Sequence, residues 1–307
     1  MSIPSVSDRP SPDALRGFIC ALLAYSAWGV LPLYMKQVAN VPVGEVIAHR
    51  ILWAVPSAGL LLLATDGMGS LLSALRNPRI LLMTGVTATL ISCNWGVYTW
   101  AIIHDRTLDA ALGYYINPLV SVLMGVVLLN EKLNRPQIIA IALAAAAVLL
   151  LAAQSGGVPW VSLALPISFA TYGYLRKTLP VAALQGFALE VLILSVPAGA
   201  YVAWLAATGS GHFGVAATDT LWLIVGGPIT AIPLILFSVG ARSLPLSTIG
   251  VMQYIAPTIA FLIAVFVFGE PFSPVQAVAF GLIWTGLVIF TWSGVAQSRR
   301  THRPPAG

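Results

Sequence analysis

Tyr115-Ile116-Asn117-Pro118 is followed thirteen residues after its proline by Glu131, and six later by Gln137; Tyr254-Ile255-Ala256-Pro257 is followed at the same two spacings by Glu270 and Gln276. Every equivalent pair is offset by 139 residues, so the second half of the chain reads as a repeat of the first. Fainter echoes pair Ser26-Ala27-Trp28-Gly29 with Ala170-Thr171-Tyr172-Gly173, and Val55-Pro56 with Val196-Pro197. The last pairing sets His49 opposite Glu190.

Apolar runs fill the space around these strings. The 307 residues are 58% hydrophobic and only 8% charged, about a third of the roughly 25% charge of a soluble domain. Crossing a bilayer takes about 20 mostly apolar residues, and runs of that size lie near 17–36, 43–64, 79–103, 108–129, 135–153, 158–176, 184–206, 220–241, 246–268 and 275–293. Prolines, glycines and charges punctuate them. Each half holds five runs, an odd number, so the second half must insert upside down relative to the first. The fold expected is an all-α polytopic membrane protein, ten transmembrane helices as two inverted five-helix repeats. Its segments are a cytoplasmic lead (1–16), a first repeat (17–154), a second (155–294) and a tail (295–307).

Orientation follows from charge, because cationic loops stay cytoplasmic. Ten spans put both ends on one side, and that side receives twelve of the fifteen Lys and Arg; the other receives Lys36, Arg50 and Arg106. Both termini are therefore expected in the cytoplasm and the chain in a bacterial inner membrane. The net charge of +5 does not mark a nucleic-acid protein, since the basic residues are scattered singly instead of clustering on one face. Cys20 and Cys93 both fall in apolar runs, with no disulfide or metal-ligand spacing. None of the three lysines follows a glycine, so there is no Walker A loop, and no H-E-x-x-H or G-x-S-x-G occurs. No enzyme activity, cofactor or metal is expected. The partners expected are a small-molecule substrate and the lipid bilayer, with the chain a monomer or homodimer.

Ionisable groups inside a bilayer cost roughly 3 kcal/mol each, so those within the runs need a reason. Glu45, His49 and Trp53 recur every four residues and share one helix face, with Arg50 turned about 140° from Glu45. One reading places this face on a central cavity, where Glu45 or His49 exchanges a proton; the other pairs Glu45 with Arg50 or lets it reach interfacial water. Glu190, inside the seventh run, suits reversible protonation in a transport cycle, or else pairs with Arg176, Lys177 or Arg242. Candidates to line a substrate cavity are Trp28, Tyr34, His49, Trp53, Asn94, Trp95, Tyr98, Tyr114, Tyr115, Asn117, Gln253 and Tyr254, which supply flat faces and a few hydrogen-bond partners. The three amides serve equally well to join helices. Trp160, Trp204, Trp222 and Trp292 read as an interfacial belt. Pro32, Pro118, Pro233 and Pro257 fall inside runs and are candidate kinks, since each frees a backbone carbonyl. Ala140 to Ala147 form a small-residue stripe for close helix packing.

The strings Ala27-Trp28-Gly29-Val30-Leu31-Pro32-Leu33-Tyr34, Ala48-His49-Arg50-Ile51-Leu52-Trp53, Leu112-Gly113-Tyr114-Tyr115-Ile116-Asn117-Pro118, Tyr172-Gly173-Tyr174-Leu175-Arg176-Lys177 and Gln253-Tyr254-Ile255-Ala256-Pro257 resemble the RarD type of the EamA family, within the drug/metabolite transporter superfamily. They run from the first span to the ninth. The resemblance implies a ten-helix permease in two inverted halves, with a chloramphenicol-sensitivity label attached to the type. Inverted halves are a mark of secondary carriers, which rock about a site near the midplane. The activity expected is therefore alternating-access export of a small organic metabolite or drug, with proton coupling an option. The competing reading is an uncoupled facilitator or channel.

Overall fold

The computed structural model describes residues 12–65, 67–129, 135–155, 157–244, 248–249 and 252–301. Among these residues the chain is helical, with no strand. In chain order the helices are α1 (Pro12–Gly29), α2 (Leu31–Gln37), α3 (Val43–Ala64), α4 (Met68–Leu75), α5 (Pro78–Ile103), α6 (Thr107–Leu129), α7 (Arg135–Ser155), α8 (Trp160–Thr178), α9 (Ala183–Thr208), α10 (Ala217–Ser243), α11 (Ile255–Leu262, continued by a π-helical turn, Ile263–Val267) and α12 (Pro274–Thr301).

Among the described residues, seven stretches are long and apolar enough to cross a membrane: Leu15–Gln37, Val43–Ala64, Pro78–Ile103, Arg135–Gln154, Leu184–Thr208, Ala217–Phe237 and Pro274–Trp292. The expected spans near 108–129, 158–176 and 246–268 fall on α6, α8 and α11, which are not among the seven. Two of these have a visible reason. α8 carries Ser162, Ser168, Tyr172 and Arg176, whose polar groups meet Asp109, Asn94 and Glu190 on neighbouring helices instead of lipid, and α11 with its π turn is short. Leu82 and Phe266, 72% and 77% exposed, belong to an apolar outer surface that water would not tolerate over so large a continuous area.

The helices pack mainly across the midpoint of the sequence. α1 lies on α10 and α8 on α5; α8 also lies on α6 and α1 on α11; α3 lies on α10 and α9 on α5. α3 also meets α9, α6 meets α11, and α7 meets α12. Exchanging each helix for its counterpart 139 to 144 residues away turns every one of these pairs into another of them or into itself. The alanine stripe does what its small side chains allow: Ala140 and its neighbours face α12, where a Cβ on Gly286 would come 3.1 Å from the Ala140 carbonyl.

Prolines act where their missing N–H falls. The first expected span is broken at Val30, and Pro32 opens the short helix α2 in its first turn. Pro257 has no N–H to give the Gln253 carbonyl, and the chain makes a turn at Gln253 and Tyr254 before α11 begins. Pro118 and Pro233 sit inside the unbroken helices α6 and α10.

The loops at one end of the bundle are tied together. Asn40 donates to Asp219 at 3.1 Å, Lys36 pairs with Asp105, and Gln154 donates to Ser273 at 2.9 Å. Glu270 is buried and accepts from the backbone N–H groups of Thr107 at 2.8 Å and Leu108 at 3.0 Å. A carboxylate here meets the unpaired donors and positive dipole end of α6. Glu131, its repeat counterpart, lies outside the described residues. Glu270→Ala should lower stability by about 1–2 kcal/mol, the usual worth of a helix N-cap. Thermal unfolding in lipid nanodiscs checks this, and an unchanged melting temperature would remove Glu270 as the tie between α6 and the 268–273 loop.

Candidate functional site

α3 carries the chemistry on two faces. The face built at i, i+4 and i+8 by Glu45, His49 and Trp53 is covered by the loop that follows α9. Gly209, at φ +65°, ends α9 in the left-handed conformation that glycine tolerates best. The chain then doubles back over α3. Glu45, 1% exposed, accepts from the N–H of His212 at 2.7 Å and of Phe213 at 3.2 Å, and its other oxygen lies 2.9 Å from His212 Nδ1. The Phe213 ring stacks on His49 at 4.6 Å and lies 6.3 Å from the Trp53 ring. Both His49 nitrogens and Trp53 Nε1 are buried without a hydrogen-bond partner among the described residues. Glu45 therefore pairs neither with Arg50 nor with interfacial water: it holds a loop of the other half of the chain.

Arg50 points from α3 toward α10 and α5. It is 3% exposed, and its Nε donates to Thr230 Oγ1 at 3.2 Å. Its guanidinium carbon lies 5.2 Å from the centre of the Trp95 ring, a cation–π contact. Gly226 and Gly227 let α10 approach: a Cβ on Gly226 would strike the Arg50 side chain and the Tyr34 hydroxyl, and one on Gly227 would strike the Trp53 backbone. Tyr34, Tyr98 and Tyr114 lie within electrostatic reach of the guanidinium. Tyr34 donates to the Trp222 carbonyl at 3.1 Å, and Tyr114 donates to Asn94 Oδ1 at 3.2 Å. Asn94 in turn donates to the Leu165 carbonyl and to Ser168 Oγ at 3.0 and 2.9 Å. Tyr98 meets Tyr114 edge-on at 5.7 Å. The Asn94 amide thus joins α5 to α8 and α6 and holds the tyrosine wall at the same time.

Glu190 lies on α9 toward the opposite end. Thr87 donates to it at 2.8 Å and Tyr172 at 3.1 Å, and Arg176 Nε stands 3.4 Å away. The expected pairing with Arg176 is present, and with Thr87 and Tyr172 it links α5, α8 and α9; the side chains of Lys177 and Arg242 lie outside the described residues.

The structure thus brings Tyr34, His49, Arg50, Trp53, Asn94, Trp95, Tyr98 and Tyr114 around α3, α5 and α6. Other expected cavity residues are elsewhere. Trp28 packs on Tyr25 and Phe237 in the α1–α10 seam, with Ile255 and Ala256 of α11 beside them. Tyr115 bonds Thr258 at 2.6 Å and packs on Tyr254, Phe280 and Trp284, so Tyr115 and Tyr254 are parts of the α6–α11–α12 seam. Asn117 is buried on α6 and Gln253 half-buried before α11. Trp160, Trp204 and Trp292 are well exposed, as a belt requires, but Trp222 is half-buried, packed on Tyr34.

Thr230, Phe213, His212 and Thr87 join these sites without having stood out in the sequence. Tyr172 has a signal there, because the repeat sets it opposite Trp28; Phe213 has none, since a loop's return path leaves no periodicity. Two surface cavities, of about 310 Å³ beside Asn77, Arg79 and Thr178 and about 300 Å³ beside Arg106, Asp109, Trp160 and Gln276, open at opposite ends of the bundle. Neither reaches Arg50.

Comparison with known proteins gives this architecture a family. The model of the EamA-like transporter family matches residues 15–153. Protein RarD of Streptomyces exfoliatus is 41% identical over 287 residues, covering 93% of this chain and 91% of its own. An uncharacterized transporter of Bacillus subtilis, YojE, is 41% identical, with 94% and 97% covered. A protein of Pseudomonas aeruginosa named chloramphenicol-sensitive protein RarD is 32% identical, with 94% and 97% covered. One solved crystal structure shares the fold at a TM-score of 0.56 and 22% identity, over 96% of this chain and all of that one. A polytopic helical chain with relatives of this kind is a membrane transporter and not an enzyme: it belongs to the EamA-like transporter family, as a permease of the RarD type.

Proposed function

We propose that the chain is a secondary carrier of a small organic solute, working by alternating access in a bacterial inner membrane and moving its substrate outward. Its ten helices form two inverted five-helix repeats, 17–154 and 155–294, with both termini in the cytoplasm. Three observations support the two-half reading: the 139-residue offset, the helix pairs that map onto one another when the halves are exchanged, and a family-model match that stops at residue 153, where the first repeat ends.

The observation that carries the proposal is the Arg50 cluster, a buried guanidinium and its aromatic wall lying where α3 of one half meets α10 of the other. A carrier needs a polar site between two bodies that move against each other. Glu45 supplies a gate for it, since its carboxylate fastens the 209–214 loop over His49 and Trp53. A proton on Glu45 removes its negative charge, which weakens the bonds that Oε1 accepts from both loop N–H groups and loosens the loop, and His212 and His49 are the titratable neighbours that face the carboxylate. Coupling is therefore assigned first to Glu45, with Glu190 holding α5, α8 and α9 in register.

Counterflow in proteoliposomes loaded with candidate solutes tests the carrier. Internal solute should accelerate entry of labelled external solute; flux indifferent to the opposing solute would mean a channel. With a transported solute in hand, Glu45→Gln should abolish stimulation by a pH gradient. Stimulation that survives both Glu45→Gln and Glu190→Gln would rule these two groups out as coupling sites.

A further inference from the structure

We infer that the central site takes a carboxylate-bearing organic solute, with Arg50 as its anion anchor; this rests on the carrier reading above. A cation taken out of water is expensive unless an opposite charge and good hydrogen bonds compensate it. Arg50 is 3% exposed, and in none of the ion pairs among the described residues does a carboxylate reach it: Glu45 goes to His212, Glu190 to Arg176, and Asp105 and Asp109 to Lys36 and Arg106. Its nearest polar company is neutral, and much of it is committed elsewhere. Tyr34 and Tyr114 spend their hydroxyl protons on the Trp222 carbonyl and Asn94.

The guanidinium is also held in one attitude. Thr230 fixes Nε from α10, Trp95 covers the guanidinium group, and Gly226 brings the α10 backbone against the side-chain stem. Nη1 is buried and meets no partner among the described residues. A fork oriented by one bond and one ring, with a donor to spare, is suited to a planar carboxylate, which accepts parallel N–H bonds. One guanidinium balances one negative charge, so a monoanion fits better than a phosphate dianion. The surrounding rings of Trp95, Tyr98 and Tyr114 favour an unsaturated or aromatic body on that carboxylate. A solute carrying a net positive charge is disfavoured by the same guanidinium.

Benzoate, benzamide and benzylamine test this, because they carry the same ring with charge −1, 0 and +1 near neutral pH. The full-length protein in lipid nanodiscs is unfolded thermally with each. Benzoate should raise the melting temperature in a concentration-dependent way, and the other two should raise it far less. In Arg50→Gln the apparent benzoate affinity should fall roughly tenfold or more, with Arg50→Lys retaining part of it because a point charge replaces a fork. If Arg50→Gln does not fold, Arg50→Lys and Trp95→Leu are read instead; both should weaken benzoate. A melting temperature that benzoate leaves unchanged, stabilisation by benzamide or benzylamine equal to that by benzoate, or unchanged benzoate affinity in the variants would overturn the assignment. Counterflow separates the two levels. Exchange of benzamide or benzylamine with benzoate inert sinks the anion site and leaves the carrier standing. Arg50-dependent benzoate binding without any exchange sinks the carrier and keeps the site.

Discussion

Replacing Glu45 by alanine is expected to set the 209–214 loop free. The backbone N–H groups of His212 and Phe213 both end on this one carboxylate, and a hydrogen bond to a charged group is worth about 1.5–3 kcal/mol. Losing both, about 3–6 kcal/mol together, should speed amide exchange of the loop by roughly a hundredfold to ten-thousandfold, at about 1.4 kcal/mol per factor of ten. The reading is hydrogen–deuterium exchange by mass spectrometry on the protein in nanodiscs, with the peptide covering His212 and Phe213 compared between variants. Glu45→Gln should fall between the wild type and Glu45→Ala, because both N–H groups share Oε1, which an amide oxygen can replace. Phe213 would leave His49 and Trp53 as the loop opens, so transport should lose its directionality in the same variant. Unchanged exchange in Glu45→Ala would remove the gate.

The second large effect is steric. α3 and α10 cross so closely at Gly227 that an added Cβ would lie on the main chain of Trp53, and main chain cannot swing aside as a flexible side chain does. Gly227→Ala should therefore cost about 1–3 kcal/mol or more from overpacking and displace Arg50 from Thr230. Gly96 is the contrast. It sits inside α5, where an added Cβ would find nothing within 4 Å, so Gly96→Ala should leave stability unchanged or raise it by up to about 1 kcal/mol through helix propensity. Folded yield in mild detergent and the thermal midpoint read both. Equal behaviour of the two variants would contradict the close α3–α10 crossing on which the site depends.

The helices are legible because lipid-facing sequence has almost no alternative to a helix. The expected runs at 43–64 and 135–153 coincide closely with α3 and α7. The break at Val30 lies where Pro32 follows, within reach of sequence reasoning. The Glu45–His49–Trp53 face is legible too, as a four-residue period, and one loop does cover all three. What covers it is not legible, because Gly209 to Gly214 carry no period and their path is set by tertiary contact with Glu45. Trp28, Tyr115 and Tyr254 show the opposite failure. An aromatic ring within a span serves a helix seam as readily as a cavity, and only the neighbours decide. Trp222 departs from the expected interface for the same reason, since Tyr34 draws it inward. Asn94 joins helices, as an amide within a span was expected to, and the same amide holds Tyr114.

The most direct test of alternating access uses Thr230→Cys, which places a thiol beside Arg50, in a background where Cys20 and Cys93 are serine. A membrane-impermeant maleimide is applied to intact cells and, separately, to inverted vesicles. Alternating access predicts labelling from both faces, with Glu45→Ala raising the rate from outside and lowering it from inside, because one opening excludes the other. A thiol reached from both faces at rates that Glu45→Ala leaves unaltered, or reached from neither, would contradict it.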